Sequence, residues 1–257
     1  VNTIDRIAYS NGLTGRSAAE KTALALGMLV AAMALPPWPG GLVVLAVMLI
    51  ATLGVARIPA RTYFKLAWAP LTFLLVGVAP LLVSIGFGGP WLISLGWAPG
   101  GGELALRVAL RSLAALSCLF FLSMTTPVPQ VLRVLRKLRV PPVLTEVSLL
   151  IYRDIWVFVD TVRGIRAAQS ARLGYRDLRS SYRSLGMLVA TLFGQVLQRA
   201  RTMENGLHAR NWQGEITVLD EGAAATAVGF AVVAAVLLLT VAATLAAAWA
   251  MGGAWTV

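Results

Sequence analysis

Apolar residues run almost unbroken through Thr22–Leu35, Gly41–Ala56, Leu66–Gly86, Leu104–Met124 and Ala223–Met251. A helix that crosses a bilayer needs about 20 such residues. The last three runs reach that length. The first two fall short, so that pair is expected to be tilted, extended by flanking residues or seated in thin bilayer. Pro36-Pro37-Trp38-Pro39-Gly40-Gly41 separates the first two runs, and Pro and Gly end helices. Pro70 and Pro80 interrupt the third, as a packed bundle tolerates.

Between the fourth and fifth runs the pattern changes to helical periodicity with charge. From Gln130 to Val140, Val131, Leu132, Val134, Leu135 and Leu138 alternate with Arg133, Arg136, Lys137 and Arg139. This is a basic amphipathic helix with two open readings, one on anionic headgroups and one against a protein. Pro141-Pro142 stops it. Val143–Ser170 reads as a long helix whose apolar half carries Glu146, Arg153, Asp154 and Asp160. Such a segment is tilted, packed or only part-immersed. Tyr182–Asn205 is the next helix, with Gly186, Ala190 and Gly194 four apart on one face, where another helix can approach closely. The expected fold is all-α and polytopic, with about five transmembrane helices plus cytoplasmic helices. It divides into 1–126, 127–215 and 216–257.

Charge orients this pattern. The chain of 257 residues is 58% hydrophobic and only 13% charged, with formal net charge +11. Arg6, Arg16, Lys21, Arg57, Arg61, Lys65 and the central insert fall on one side. Pro36–Gly41, Phe87–Gly102 and the tail from Gly252 fall on the other and contain no Lys or Arg. The positive-inside rule then predicts a multi-pass protein of the plasma (inner) membrane, its N-terminus and insert cytoplasmic, its C-terminus outside. Fourteen of the 22 Lys and Arg lie between Val128 and Glu215. The lipid bilayer and a soluble protein are the expected partners, and nucleic acid is not.

The sequence offers little for catalysis. One cysteine, Cys118, and one histidine, His208, cannot build a disulfide or a His/Cys metal site. No phosphate-binding G-x-x-x-x-G-K-[ST] loop is present, so any ATP must be handled by another chain. Asp154 and Asp160 do not form the D-x-x-D-G pattern of phospholipid-headgroup transferases. The expectation is a non-enzyme with no cofactor and no bound metal. A lipid enzyme using Glu146, Asp154 or Asp160 is the minor alternative.

Two words remain, Ala171-Arg172-Leu173 and Ala209-Arg210-Asn211, each near the expected C-terminal end of an insert helix. A cation there complements the helix dipole. A guanidinium at an exposed tip can equally pair bidentately with a partner's carboxylate, and two tips suit a dimeric partner. With these words, Ile4-Asp5-Arg6-Ile7-Ala8-Tyr9-Ser10-Asn11, Ala19-Glu20-Lys21, Ala168-Gln169-Ser170-Ala171-Arg172 and Met203-Glu204-Asn205-Gly206-Leu207-His208-Ala209-Arg210 resemble the transmembrane T component of energy-coupling factor transporters, in the cobalt-type CbiQ branch. The family usually has Gly after each Arg, where this chain has Leu173 and Asn211. The resemblance implies a scaffold for importing cobalt or nickel, with a vitamin transporter of the same architecture as the alternative. It implies that Arg172 and Arg210 enter two ATP-binding ATPase subunits, that the membrane part holds a substrate-binding membrane subunit, and that Gly186/Ala190/Gly194 form a sliding helix contact.

Overall fold

The computed structural model describes residues 3–86, 94–97, 100–211 and 223–250. It is helical apart from one short ladder. The helices are α1 (Thr3–Ser10), α2 (Ala18–Ala34), α3 (Pro37–Leu49), α4 (Ala60–Val78), α5 (Gly101–Thr125), α6 (Val128–Lys137), α7 (Pro142–Ala171), α8 (Leu178–Ala209) and α9 (Ala227–Ala250). Strands β1 (Val83–Gly86) and β2 (Ser94–Trp97) pair antiparallel, Val83 opposite Trp97 and Gly86 opposite Ser94. The chain forms two compact units, one of residues 1–134 and 222–257, the other of residues 135–221.

Among the described residues four helical stretches are long and apolar enough to cross a membrane: Pro37–Val55, Ala60–Leu82, Gly101–Thr125 and Ala227–Ala250. The shorter α2, 17 residues with Glu20 and Lys21 in its first turns, packs beside α5 and α9. The protein is therefore an all-α polytopic membrane protein. The boundaries differ from the apolar runs in instructive ways. Pro36–Gly41 is not simply a turn, because α3 already begins at Pro37, although Trp38 (φ/ψ −97/100) is not helical. At its other end α3 continues as a six-residue π-helix, Ile50–Val55, which gives the second run its spanning length. The third run does not stay helical to Gly86. Pro80 lacks the N–H that would continue the ladder, and the chain passes through a 3-10 turn, Ala79–Leu82, into β1. Much of the expected loop 87–102, the segment Trp212–Glu215 and the tail after Ala250 lie outside the described residues.

The bundle's core is small-to-medium side chains meeting across three helices. Ala25, Met28 and Ala32 of α2 pack with Val44 and Met48 of α3 and with Ala114, Cys118 and Phe121 of α5. Glycines bring the helices close at two places in this core. A Cβ at Gly27 would stand 2.8 Å from Leu237 Cδ1 of α9, and one at Gly41 would stand 3.3 Å from the Leu110 backbone of α5. Trp68, Phe73, Leu75 and Val76 of α4 are exposed, as a lipid-facing surface requires.

One end of this unit is tied by polar side chains that almost never lie buried unless paired. Lys21, 4% exposed, donates from Nζ to the carbonyls of Thr125 (2.9 Å) and Leu13 (3.2 Å). Asn11 Nδ2 lies 3.3 Å from the carbonyls of both Met124 and Thr125. These donors meet the unpaired carbonyls that close α5. Adjacent Glu20 does the converse for α9. Its Oε1 accepts the Thr226 N–H at 3.0 Å and lies 3.2 Å from the Thr226 hydroxyl, while that hydroxyl accepts the Gly229 N–H at 3.0 Å. Cation meets a helix C-terminus and anion a helix N-terminus, the favourable sign in both cases.

A Cβ at Gly229 would collide with the Glu20 carboxylate. Gly229→Ala should therefore displace Glu20 from Thr226 and cost about 1–3 kcal/mol, as should Glu20→Ala by removing the acceptor. Because both changes break the same contact, the double variant should cost little more than either alone. Thermal unfolding of the four proteins in detergent checks this, and full additivity would refute it.

Candidate functional site

α7 ends on Arg172, with φ/ψ −94/17, and Leu173 follows in the left-handed region at φ 56. The Leu173 N–H donates to the Ser170 carbonyl (3.0 Å) and the Gly174 N–H to the Gln169 carbonyl (2.8 Å). These two bonds are the Schellman pattern, which satisfies the last carbonyls of a helix and turns the chain sharply. α8 ends on Arg210, with φ/ψ −97/13, followed by Asn211 at φ 51. Here the Asn211 N–H donates to the His208 carbonyl at 3.0 Å, the equivalent of the first bond. The two Ala-Arg words thus share one conformation: helical Ala, half-helical Arg, left-handed third residue. Ala171, Arg172, Leu173, Ala209, Arg210 and Asn211 are all exposed. Neither arginine has a side-chain hydrogen bond or ion pair among the described residues.

The first tip stands on a bonded joint. Gln169 Nε2 donates to the Ser184 carbonyl (2.9 Å), the Tyr175 hydroxyl donates to Gln169 Oε1 (2.7 Å), and Ser184 Oγ donates to the Gly174 carbonyl (2.8 Å). Arg166 lies 5.7 Å from the centre of the Tyr175 ring, within cation–π range. Asp177 starts α8 by accepting the Ser180 N–H at 2.7 Å. That bond first, and the Arg176 side chain second, hold its carboxyl below the usual aspartate range.

Farther along, Arg199 of α8 donates to Asp154 Oδ1 of α7 from Nη2 at 3.1 Å and from Nε at 3.3 Å. Asp154 is therefore a structural anion between the two helices, and Asp160 pairs with Arg163 one turn on (3.1 Å). Among the described residues no three His, Cys, Asp or Glu side chains gather to hold a metal ion. His208 is exposed in the last turn of α8, and Cys118 is buried in the bundle core.

Ser184, Leu188, Leu192, Arg199, Met203 and Leu207 define the side of α8 that is less exposed or bonded to α7. At 100° per residue, Gly186, Ala190 and Gly194 lie on the opposite side. A Cβ added at Gly186 or Gly194 would meet nothing within 4 Å. The small-residue face is thus not used for packing within the described chain.

A family model described as cobalt transport protein, CbiQ, matches residues 12–220. The chain belongs to the CbiQ family of cobalt transport proteins. It is 40% identical to the cobalt transport protein CbiQ of Rhodobacter capsulatus, over 88% of this chain and 91% of the relative. It is 33% identical to the Salmonella typhimurium protein of the same name, over 82% and 97% respectively. A putative fused cobalt transport protein CbiMQ of Methanocorpusculum labreanum is 30% identical over 85% of this chain and 38% of its own length. The protein is an integral membrane component of cobalt transport. Gly usually follows each Arg in the family, and the left-handed φ found at both positions here is the physical reason Gly suits them. Leu173 and Asn211 hold the same conformation, Asn at little cost and Leu at about 1–2 kcal/mol. Two Ala-Arg words are legible in the sequence, whereas the shared left-handed turn that equates them is not. The missing signal was the Gly that this chain lacks.

Leu173→Gly should leave the melting temperature nearly unchanged, because relief of strain is offset by the greater freedom of Gly in the unfolded chain. Leu173→Val, β-branched at positive φ, should lower it by roughly 2–4 °C. Equal behaviour of the two variants would contradict the cap. The joint also has a pH signature. Since Asp177 titrates below its unfolded value, its stabilisation is present above the ordinary aspartate range and is lost as pH falls through the depressed folded value. Amide exchange at Ser180, corrected for intrinsic rates, should accelerate in that window, and Asp177→Asn should remove the pH dependence.

Proposed function

We propose that the chain is the coupling scaffold of an ATP-driven cobalt importer, passing motion from two ATPase subunits to a substrate-binding membrane subunit. The observation that carries this reading is the matched pair of exposed tips, Arg172 and Arg210, ending α7 and α8 in one conformation. A symmetric or pseudo-symmetric pair of ATPases needs two equivalent handles. A guanidinium beyond the last helical turn can enter a groove and bind a carboxylate through two parallel hydrogen bonds. The Asp154–Arg199 bridge and the Gln169–Tyr175–Ser184 joint support the role, since force at a tip is transmitted only if the helices behind it move as one body.

Further support comes from the composition. Without a phosphate-binding loop in the sequence, nucleotide chemistry belongs to a partner. The charge asymmetry favours a cytoplasmic N-terminus and insert, the compartment where ATP is available. The name of the fused CbiMQ relative joins CbiQ to a CbiM part, and the alignment leaves 62% of that polypeptide (100 − 38) for it. A membrane partner of that kind would bind the metal ion, and the open Gly186/Ala190/Gly194 face of α8 would be its sliding contact. Cobalt is preferred to a vitamin cargo because the family and the curated CbiQ relatives bear that name.

Replacing Arg172 and Arg210 together by Glu should weaken ATPase retention by about 30-fold or more, since truncating one member of a desolvated ion pair costs roughly 2–5 kcal/mol. Cobalt uptake by cells should fall with it while the amount of protein in the membrane stays constant. Wild-type uptake and ATPase co-purification by the double variant would end the proposal.

A further inference from the structure

A second basic site lies in the bundle unit. Arg6, Ile7, Ser10 and Asn11 of the first segment, with Arg57, Ile58, Pro59 and Thr62, line a cavity of about 230 Å³. Its two walls are stitched together. The Gly12 N–H donates to the Ala56 carbonyl at 2.9 Å, where a Cβ on Gly12 would stand 3.0 Å from the Val55 carbonyl oxygen. The wall carrying Arg57 is held by the Ile58 N–H on the Thr52 carbonyl (3.3 Å), just past the Ala56 N–H on the Ala51 carbonyl (2.9 Å) that closes the π-helix. Arg57 itself sits at φ 54, a conformation that costs an arginine free energy.

Two guanidiniums separated by 51 positions (57 − 6) thus line one small cavity, and no carboxylate is among its lining residues. Among the described residues neither guanidinium has a hydrogen bond or an ion pair. Like charges brought together repel, and a strained backbone at one of them adds to the cost. A bound anion would offset both. The Ser10 hydroxyl donates to the Arg6 carbonyl (2.8 Å) and braces that wall, so two planar forks and the Thr62 hydroxyl make up the donor set for phosphate oxygens. Asn11 and the α1 turn anchor it to the Met124–Thr125 end of α5, so it opens at the end of a spanning helix, where lipid headgroups lie.

We infer that this cavity binds a phosphate group, supplied by the headgroup of an anionic phospholipid. The inference does not depend on the coupling role of Arg172 and Arg210, and lipid retention tests it without transport.

The test uses the full-length protein, with the subunits that co-purify, in detergent. Native mass spectrometry follows competition between phosphatidylglycerol and phosphatidylethanolamine at equal concentration, and a melting assay follows millimolar inorganic phosphate. The test variant is Arg6→Gln with Arg57→Gly, because Gly keeps the left-handed turn while removing the guanidinium. The control is Arg16→Gln with Arg61→Gln, which removes the same charge outside the cavity. Phosphatidylglycerol should be retained by wild type and control and bound at least about tenfold less well by the test variant. If phosphate raises the melting temperature of wild type and control but not of the test variant, with no lipid preference, the phosphate site stands and its ligand is soluble phosphate. If both pairs of substitutions weaken lipid binding equally, or if test variant and wild type respond alike to both ligands, the cavity is not a phosphate site.

Discussion

Two neighbouring residues of opposite charge hold together elements that the sequence keeps far apart. Lys21 reaches the carbonyl end of α5, 104 positions away, and Glu20 reaches the amide end of α9, 206 positions away. Each helix terminus carries partial charge from unpaired backbone groups. Taking those groups out of water without partners would cost more than the apolar packing around them gains. The chain leaves the bundle after α5 and returns to it at α9, and the paired caps set those two points side by side. A large insert can then be carried between them without disturbing the five packed helices.

The insert follows the same rule with a different solution. α7 and α8 end in left-handed caps in which backbone amides, not side chains, satisfy the last carbonyls. That arrangement leaves Arg172 and Arg210 with nothing to do inside the fold. Lys21 is spent on its own helix ends, whereas the tip arginines are presented outward. Exposure alone does not mark this difference, because Arg163 and Arg176 are also exposed yet pair with Asp160 and Asp177.

The same comparison explains which residues a linear reading could rank. Arg172 and Arg210 were visible as a repeated word, and their shared cap is a local property of about five residues. The Asp154–Arg199 bridge was not visible, since its members lie 45 positions apart and only the antiparallel pairing of α7 with α8 joins them. Gly186, Ala190 and Gly194 were legible as one face of a helix. Which neighbour that face meets depends on packing, and α7 lies against the other side. Arg57 read as one of several topology-setting cations, and only its positive φ and its meeting with Arg6 set it apart.

The sequence by itself determined the class of protein, the presence of several long apolar helices, the basic insert between them and the absence of a nucleotide-binding loop motif. All of these depend on composition and on periods of a few residues. Tertiary structure alone decided where Pro80 ends a helix and a short ladder begins, how a π-turn lengthens the second span, and which buried charge closes which helix. Those outcomes depend on pairings between residues tens to hundreds of positions apart, and a one-dimensional pattern carries no term for the distance between them.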